Sequence, residues 1–235
     1  MSAIGRPDVC GRFSITGDLD FYAEYFGVDE VRTDPLEPSW NVAPTDPVYV
    51  VAEHEDTRHI GTMRWGFVPH WAKDRKSIQI NARSESVATT AMFRDSFARK
   101  RCLIPADGFY EWEPPERGRA PHWVYRADGH PMAFAGIWAT RKDEETGLWE
   151  RTCSILTTEA KGTVAGIHDR MPVSLIPDVW DAWLDRDMDD AETALSLIRP
   201  IDPDIIMEHQ VSKKVNSVKN NEPDLNVPAE PETLF

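Results

Sequence analysis

Short strand-like segments dominate this chain, and they constrain its fold more than any other feature. Apolar residues cluster or alternate over Val48 to Ala52, His59 to Val68, Ile78 to Ala82, Cys102 to Pro105 and Gly108 to Trp112. They do so again over His122 to Arg126, Met132 to Trp138, Arg151 to Leu156 and Ile205 to Val211. These are strand lengths, and Gly, Pro and Asp punctuate them. Helical spacing is confined to four stretches. Asp18 to Gly27 carries Leu19, Tyr22 and Phe26 on one face, and Thr89 to Arg101 sets Phe93 and Phe97 one turn apart. Pro177 opens a third, with Trp180, Trp183 and Leu184 inward, and Asp189 to Ile198 is the fourth. Many short strands without regular helical crossovers predict the α+β class.

The chain has 235 residues, enough for one sizeable core, and no linker or repeat divides it. The division predicted is an extension over 1–9, a domain over 10–221 and a mobile acidic tail over 222–235, where Pro and Glu accumulate. A formal charge of −14 argues against broad non-specific wrapping of nucleic acid, though not against a local basic groove. An acidic surface with only 8 Lys would suit a salt-rich cytoplasm. No apolar run is long enough for a membrane helix and no hydrophobic leader opens the sequence, so a cytoplasmic protein is expected, with no membrane partner. Cys10, Cys102 and Cys153 are too few and too scattered for a disulfide framework; Cys102 and Cys153, in apolar strand-like flanks, read as core thiols.

Several chemistries can be set aside. His54 and His59 are spaced five apart, about 140° around a helix, which does not suit a shared metal. No paired CxxC, glycine-rich phosphate loop or GxSxG elbow occurs, so no metal and no cofactor is expected. Trp40, Trp65, Trp71 and Trp112 sit beside Pro, Gly or polar residues, where aromatics can stack on bases; Trp180 and Trp183 read as core.

Five segments concentrate reactive polar groups. They are Cys10-Gly-Arg-Phe13, Asn81-Ala-Arg-Ser-Glu85, Pro105-Ala-Asp-Gly-Phe-Tyr-Glu-Trp112, Thr157-Thr-Glu-Ala160 and Ile167-His-Asp-Arg-Met-Pro172. Taken in order, with Trp40-Asn-Val-Ala-Pro44, Arg64-Trp-Gly-Phe-Val-Pro69, Ala135-Gly-Ile-Trp138 and Val211-Ser-Lys-Lys-Val-Asn-Ser217, they resemble the SOS response-associated peptidase family from Cys10 to about Pro223. The resemblance implies a single domain around a strongly curved, mostly antiparallel, partly barrel-like sheet with flanking helices. It also implies binding to abasic sites in single-stranded DNA, with a covalent cross-link through an N-terminal cysteine.

On that resemblance Cys10 matches the nucleophile. Asn81 would orient the α-amine or the deoxyribose, Glu111 would be the general acid/base, and His168 would protonate the sugar oxygen. Arg83 and Arg170 would hold the flanking phosphates. Arg12, Trp65, Trp112, Pro44 and Thr158 complete the expected DNA contacts. The chemistry needs a 1,2-aminothiol: the amine condenses with the ring-opened aldehyde, and the thiol closes a thiazolidine. A chain that starts at Met1 locks the nitrogen of Cys10 in a peptide bond. Three routes past this are open: initiation at Val9 from a GTG codon, cleavage of Val9–Cys10, or a retained extension without cross-linking.

The partner expected is single-stranded DNA bearing abasic sites, met by a monomer that joins the nucleoid when bound. Two other classes stay open, a cysteine peptidase using Cys10 with His168 and Glu111, and a non-covalent single-strand-binding module. From the residues alone the peptidase cannot be ranked below the cross-linker.

Overall fold

The computed structural model describes residues 10–72, 78–142, 146–199 and 201–230. The elements, in chain order, are β1 (Arg12–Ile15), α1 (Leu19–Tyr25), β2 (Glu30–Val31), β3 (Ser39–Val42), β4 (Pro47–His54), β5 (Thr57–Trp65), β6 (Asn81–Arg83), α2 (Arg94–Arg99) and β7 (Arg101–Ala106). There follow β8 (Gly108–Trp112), β9 (Pro121–Arg126), β10 (Met132–Lys142), β11 (Trp149–Glu159), β12 (Arg170–Pro172), α3 (Trp180–Leu184), α4 (Ala191–Ser196) and β13 (Ile206–Gln210). The class is α+β, as the strand-rich pattern predicts. No helix among the described residues is long and apolar enough to cross a membrane.

Two sheets make the body. One runs β5-β4-β7-β10-β11 and closes on itself where β11 pairs with β5 in parallel, Cys153 opposite Trp65. Strand alternation turns Val48, Val50, His59, Gly61, Trp65, Cys102, Phe134, Trp138, Arg151 and Cys153 to the inside of this barrel. The second sheet, β13-β9-β8-β1-β3, is antiparallel throughout and lies across one end. The join is aromatic. Phe13 meets Trp65 edge-on at 4.9 Å and Phe134 at 5.9 Å, and Phe109 meets Phe134 at 6.1 Å. Gly108 is what lets β8 lie against β9: a Cβ there would sit 2.4 Å from the Val124 carbonyl oxygen.

Two expectations change. Over Thr89 to Arg101 only Arg94–Arg99 is helical. The carbonyl of Ser86 accepts from the N–H and hydroxyl of both Thr89 and Thr90, which holds the first part in turns. The tail does not leave the domain at 222. Leu225 is fully buried with Tyr110, Trp123, Val211 and Val215, and the N–H of Ala229 donates to Gln210. One buried leucine, at roughly 1.5–3 kcal/mol, outweighs the polar character of its flanks. Cys102 and Cys153 are buried free thiols inside the barrel. The expected extension over 1–9 lies outside the described residues.

Candidate active site

Cys10 precedes β1, and β1 pairs with β8 so that Arg12 faces Tyr110 and Ser14 faces Gly108. Antiparallel register therefore carries the start of β1 to the end of β8, where Glu111 sits. Alternation turns Tyr110 and Trp112 to the outer face and Phe109 and Glu111 toward the barrel, and Glu111 is only 4% exposed. Its Oε1 accepts a hydrogen bond from the backbone nitrogen of Cys10 at 2.5 Å, across 101 residues of sequence. Cys10 is fully buried and takes a φ of 48°, a left-handed conformation uncommon outside glycine.

Burial decides the charge state here. It raises Glu111 to about 8, against the opposing pull of hydrogen bonds from the Cys10 and Trp112 N–H groups, and Asp169 adds to the rise. The Cys10 thiol is pushed well up, first by burial and then by the Glu111 charge. A thiol held protonated is a poor first nucleophile. The nitrogen of Cys10 is the atom with an acid/base group on it.

Asp169 belongs to the 162–170 segment, which runs across the second sheet and is tied to it at two places. Arg117, after β8, donates to the Gly166 carbonyl at 2.7 Å, and Thr163 donates to Ile206 at 3.5 Å. His168 Nδ1 takes the Arg170 N–H at 3.0 Å and lies 2.9 Å from Asp169 Oδ1. A neutral ring keeps Nδ1 as acceptor and carries its proton on Nε2, while a charged ring turns to Asp169.

The opposite wall is β6, β11 and β12. Asn81, half-buried, pairs with Ile155, and Arg83 pairs with Thr157. Trp65, expected to stack on DNA, has no exposed surface. Its indole N–H donates to the Ile80 carbonyl at 2.9 Å, so it is a positioning residue that ties Phe13 to the strand carrying Asn81. Its apolar ring fills the barrel's capped end, which the neighbouring glycine and proline hid in the sequence.

The two arginines expected on phosphates differ. Arg83 is exposed, and its side chain makes no hydrogen bond or ion pair among the described residues. Arg170 already spends its fork on Glu85, at 2.7 and 2.9 Å, and on the Thr157 carbonyl at 2.7 Å, so it is a structural ion pair between β12 and the turn after β6. Arg12 is likewise engaged, donating to Asn41 at 2.8 Å and to the Val215 carbonyl at 2.9 Å, and Lys214 pairs with Asp224. Arg12 thus pins the 211–220 segment. Trp112 is half-buried and donates to Asn216 at 2.7 Å; Pro44 and Thr158 are half-buried.

Sequence reading missed His122. It stands opposite Glu111 in the β8–β9 register, on the same face, with Nδ1 2.6 Å from Glu208 and Nε2 3.7 Å from Glu113. Only the strand register could have placed it there.

Comparison with known proteins places the chain in a family. The family model described as SOS response associated peptidase matches residues 9–218. Abasic site processing protein YoqW of Bacillus subtilis is 37% identical over 221 residues, covering 92% of this chain and 98% of its own. YedK of Escherichia coli, with the same descriptive name, is 31% identical, covering 90% and 96%. A crystal structure of a Bacteroides thetaiotaomicron protein shares the fold, with a TM-score of 0.83 over 94% of this chain at 23% identity.

Proposed function

This chain belongs to the SOS response associated peptidase family, and from that premise we propose that it processes abasic sites in single-stranded DNA by forming a covalent cross-link through Cys10. The observation that carries the reading is the 2.5 Å contact between the nitrogen of Cys10 and the buried carboxyl of Glu111. In a chain whose Cys10 is N-terminal, that nitrogen is an α-amine with an ordinary pKa near 7.7–8.0, and the Glu111 carboxyl is the acid/base group beside it. The Glu111 carboxylate can take the ammonium proton across that contact, which leaves the neutral amine to attack.

The amine nitrogen adds to the C1′ aldehyde of the ring-opened sugar, giving a carbinolamine. Glu111 donates a proton to the departing hydroxyl, and one water leaves as the imine forms. The Cys10 thiol then adds across C=N, its proton passing to the nitrogen, and closes a five-membered thiazolidine without a further leaving group. His168, above the site, gives the proton that opens the sugar ring. Asn81 orients the sugar, and Arg83, with Lys213 and Lys219, holds the phosphates. Replacing Cys10 with Ser keeps the amine but removes ring closure, so the stable adduct on denaturing gels should vanish while weak DNA binding persists. Unchanged adduct in Cys10→Ser would overturn the reading.

A second activity draws on the same contact. In a chain that retains Val9, Glu111 sits on the scissile nitrogen and the backbone there is held at a φ of 48°. The Glu111 carboxylate takes the Cys10 thiol proton as the sulfur adds to the Val9 carbonyl, then returns it to the leaving nitrogen, and water hydrolyses the thioester. The protein thereby uncovers its own aminothiol. Glu111→Gln should slow loss of residues 1–9 at least tenfold by mass spectrometry; release at the normal rate would assign the cleavage elsewhere.

A further inference from the structure

The barrel's two ends differ. The second sheet covers the end near Cys10. The other end opens into a cavity of about 340 Å3, lined by the inward-facing Val50, His59, Gly61, Trp138, Thr140 and Arg151, with Arg32, His54 and Arg186 at its rim. Barrel mouths are common ligand sites, and this volume lies at the small end of their range.

Its charge is unusual for this molecule. The chain carries −14 overall, and Arg58, Arg64, Arg99, Arg126 and Arg170 each pair with a carboxylate. Among the described residues three cations at or beside the mouth do not: Arg151 and Arg186 line it, and Lys100 packs on its Trp138 wall. Arg151 makes no side-chain hydrogen bond or ion pair among the described residues, and Lys100 rests only on the Trp138 ring, 5.3 Å from its centre. Arg186 donates to His54 Nδ1 at 2.9 Å and to the Arg99 carbonyl at 3.4 Å. The cations also oppose one another. Arg186 adds to the burial that lowers Lys100, and Arg32 and His54 add to the burial that lowers His59. Carboxylates offset this in part: Glu30 pairs with Arg32, and Glu53 lines one side, near Arg58. Gly61 supplies the room, since a Cβ built there meets nothing within 4 Å.

We propose that this mouth is a second binding site, for a small phosphoryl anion of mononucleotide size. A phosphoryl group held by Arg151, with Lys100 and Arg186 beside it, neutralises a cluster that is otherwise self-repelling, and its charge-assisted bonds suit a guanidinium fork. Trp138 offers an aromatic wall to the rest of the ligand. The same chemistry is carried by a free nucleoside monophosphate and by the 5′-phosphate end of a DNA strand. The site lies at the far end of the barrel from Cys10 and does not depend on the cross-linking reading.

Isothermal titration of the full chain tests it, with dAMP, inorganic phosphate, and one short oligonucleotide with and without a 5′-phosphate. Binding of dAMP assigns the site to free nucleotides. An additional binding event with the 5′-phosphorylated strand, absent with the unphosphorylated one, assigns it to DNA ends. In either case Arg151→Glu should weaken binding at least tenfold and Arg151→Lys by less. Gly61→Leu, which fills the cavity without touching a cation, should weaken it as much as Arg151→Glu. Circular dichroism and melting of each variant confirm the fold. No saturable heat from any phosphoryl ligand at 1 mM on the order of ordinary weak binding, or equal affinity in Gly61→Leu and wild type, would overturn the proposal.

Discussion

Cys10 and the Cys102–Cys153 pair make an instructive contrast, because burial treats all three thiols alike. Each is fully buried, and burial is the first cause that pushes each thiol up. Cys102 and Cys153 stand inside the barrel on strands β7 and β11, their backbone groups spent on the ladders. Cys10 stands at the end of a strand, in a left-handed conformation, with a carboxyl on its nitrogen. What separates Cys10 from the two core cysteines is the environment of its nitrogen, and thiol acidity does not distinguish them.

Substitutions can break that contrast, and the largest effect belongs to Cys10. Cys10→Ser should abolish the heat-stable adduct with an abasic oligonucleotide, while Cys102→Ala and Cys153→Ala keep it. Each of those core changes should cost about 1–3 kcal/mol in denaturant unfolding. Adduct loss in a well-folded Cys153→Ala would erase the distinction.

Trp65 joins the two regions, opposite Cys153 in register and edge-on to Phe13. Trp65→Ala should lose about 3–5 kcal/mol of stability, the usual cost of emptying a buried aromatic site. Urea melts measure it; a loss below about 1 kcal/mol would return the ring to the surface role its sequence neighbours suggest.

Glu111→Gln sharpens the contrast further, since it alters the nitrogen's partner and leaves the thiol. Cross-linking should slow about a hundredfold, within the range for removal of a general acid/base. Stability should move the other way. The folded protein keeps a proton on Glu111 up to about pH 8, whereas the unfolded chain releases it at the ordinary carboxylate value. Folded stability from this group is therefore full at acid pH and declines as pH rises toward 8. Glu111→Gln removes the decline, so its melting temperature should gain on wild type from pH 5 to pH 8.5. Parallel curves would show that the carboxyl is not buried as described.

The smallest effect concerns DNA. Arg83→Glu should weaken capture of single-stranded DNA about tenfold and reduce the salt dependence of binding, while Arg170→Gln should act through stability because its fork holds Glu85. Fluorescence anisotropy at two salt concentrations separates them.

The class of fold was legible because strand alternation is local. Tyr22, Phe97, Trp180 and Trp183 could be placed in the core from spacing alone. Glu111 and Cys10 were not joined by any local signal, being 101 residues apart; family resemblance named both, and the β1–β8 register explains their contact. β1 itself, four residues long, is too short to read from alternation. Trp65 was misread because its flanks look like a loop, and Leu225 because its flanks look like a tail. Arg170 illustrates a further limit: sequence shows a guanidinium but not the Glu85 carboxylate that occupies it.

Denaturing intact-mass spectrometry tests the central claim most directly. The protein is made from its natural reading frame and weighed alone and after mixing with a single-stranded oligonucleotide bearing one abasic site. The expected result is a free protein beginning at Cys10 and an adduct of protein plus DNA less one water, absent in Cys10→Ser. A protein beginning at Cys10 that forms no adduct, or an adduct that survives Cys10→Ser, would contradict it.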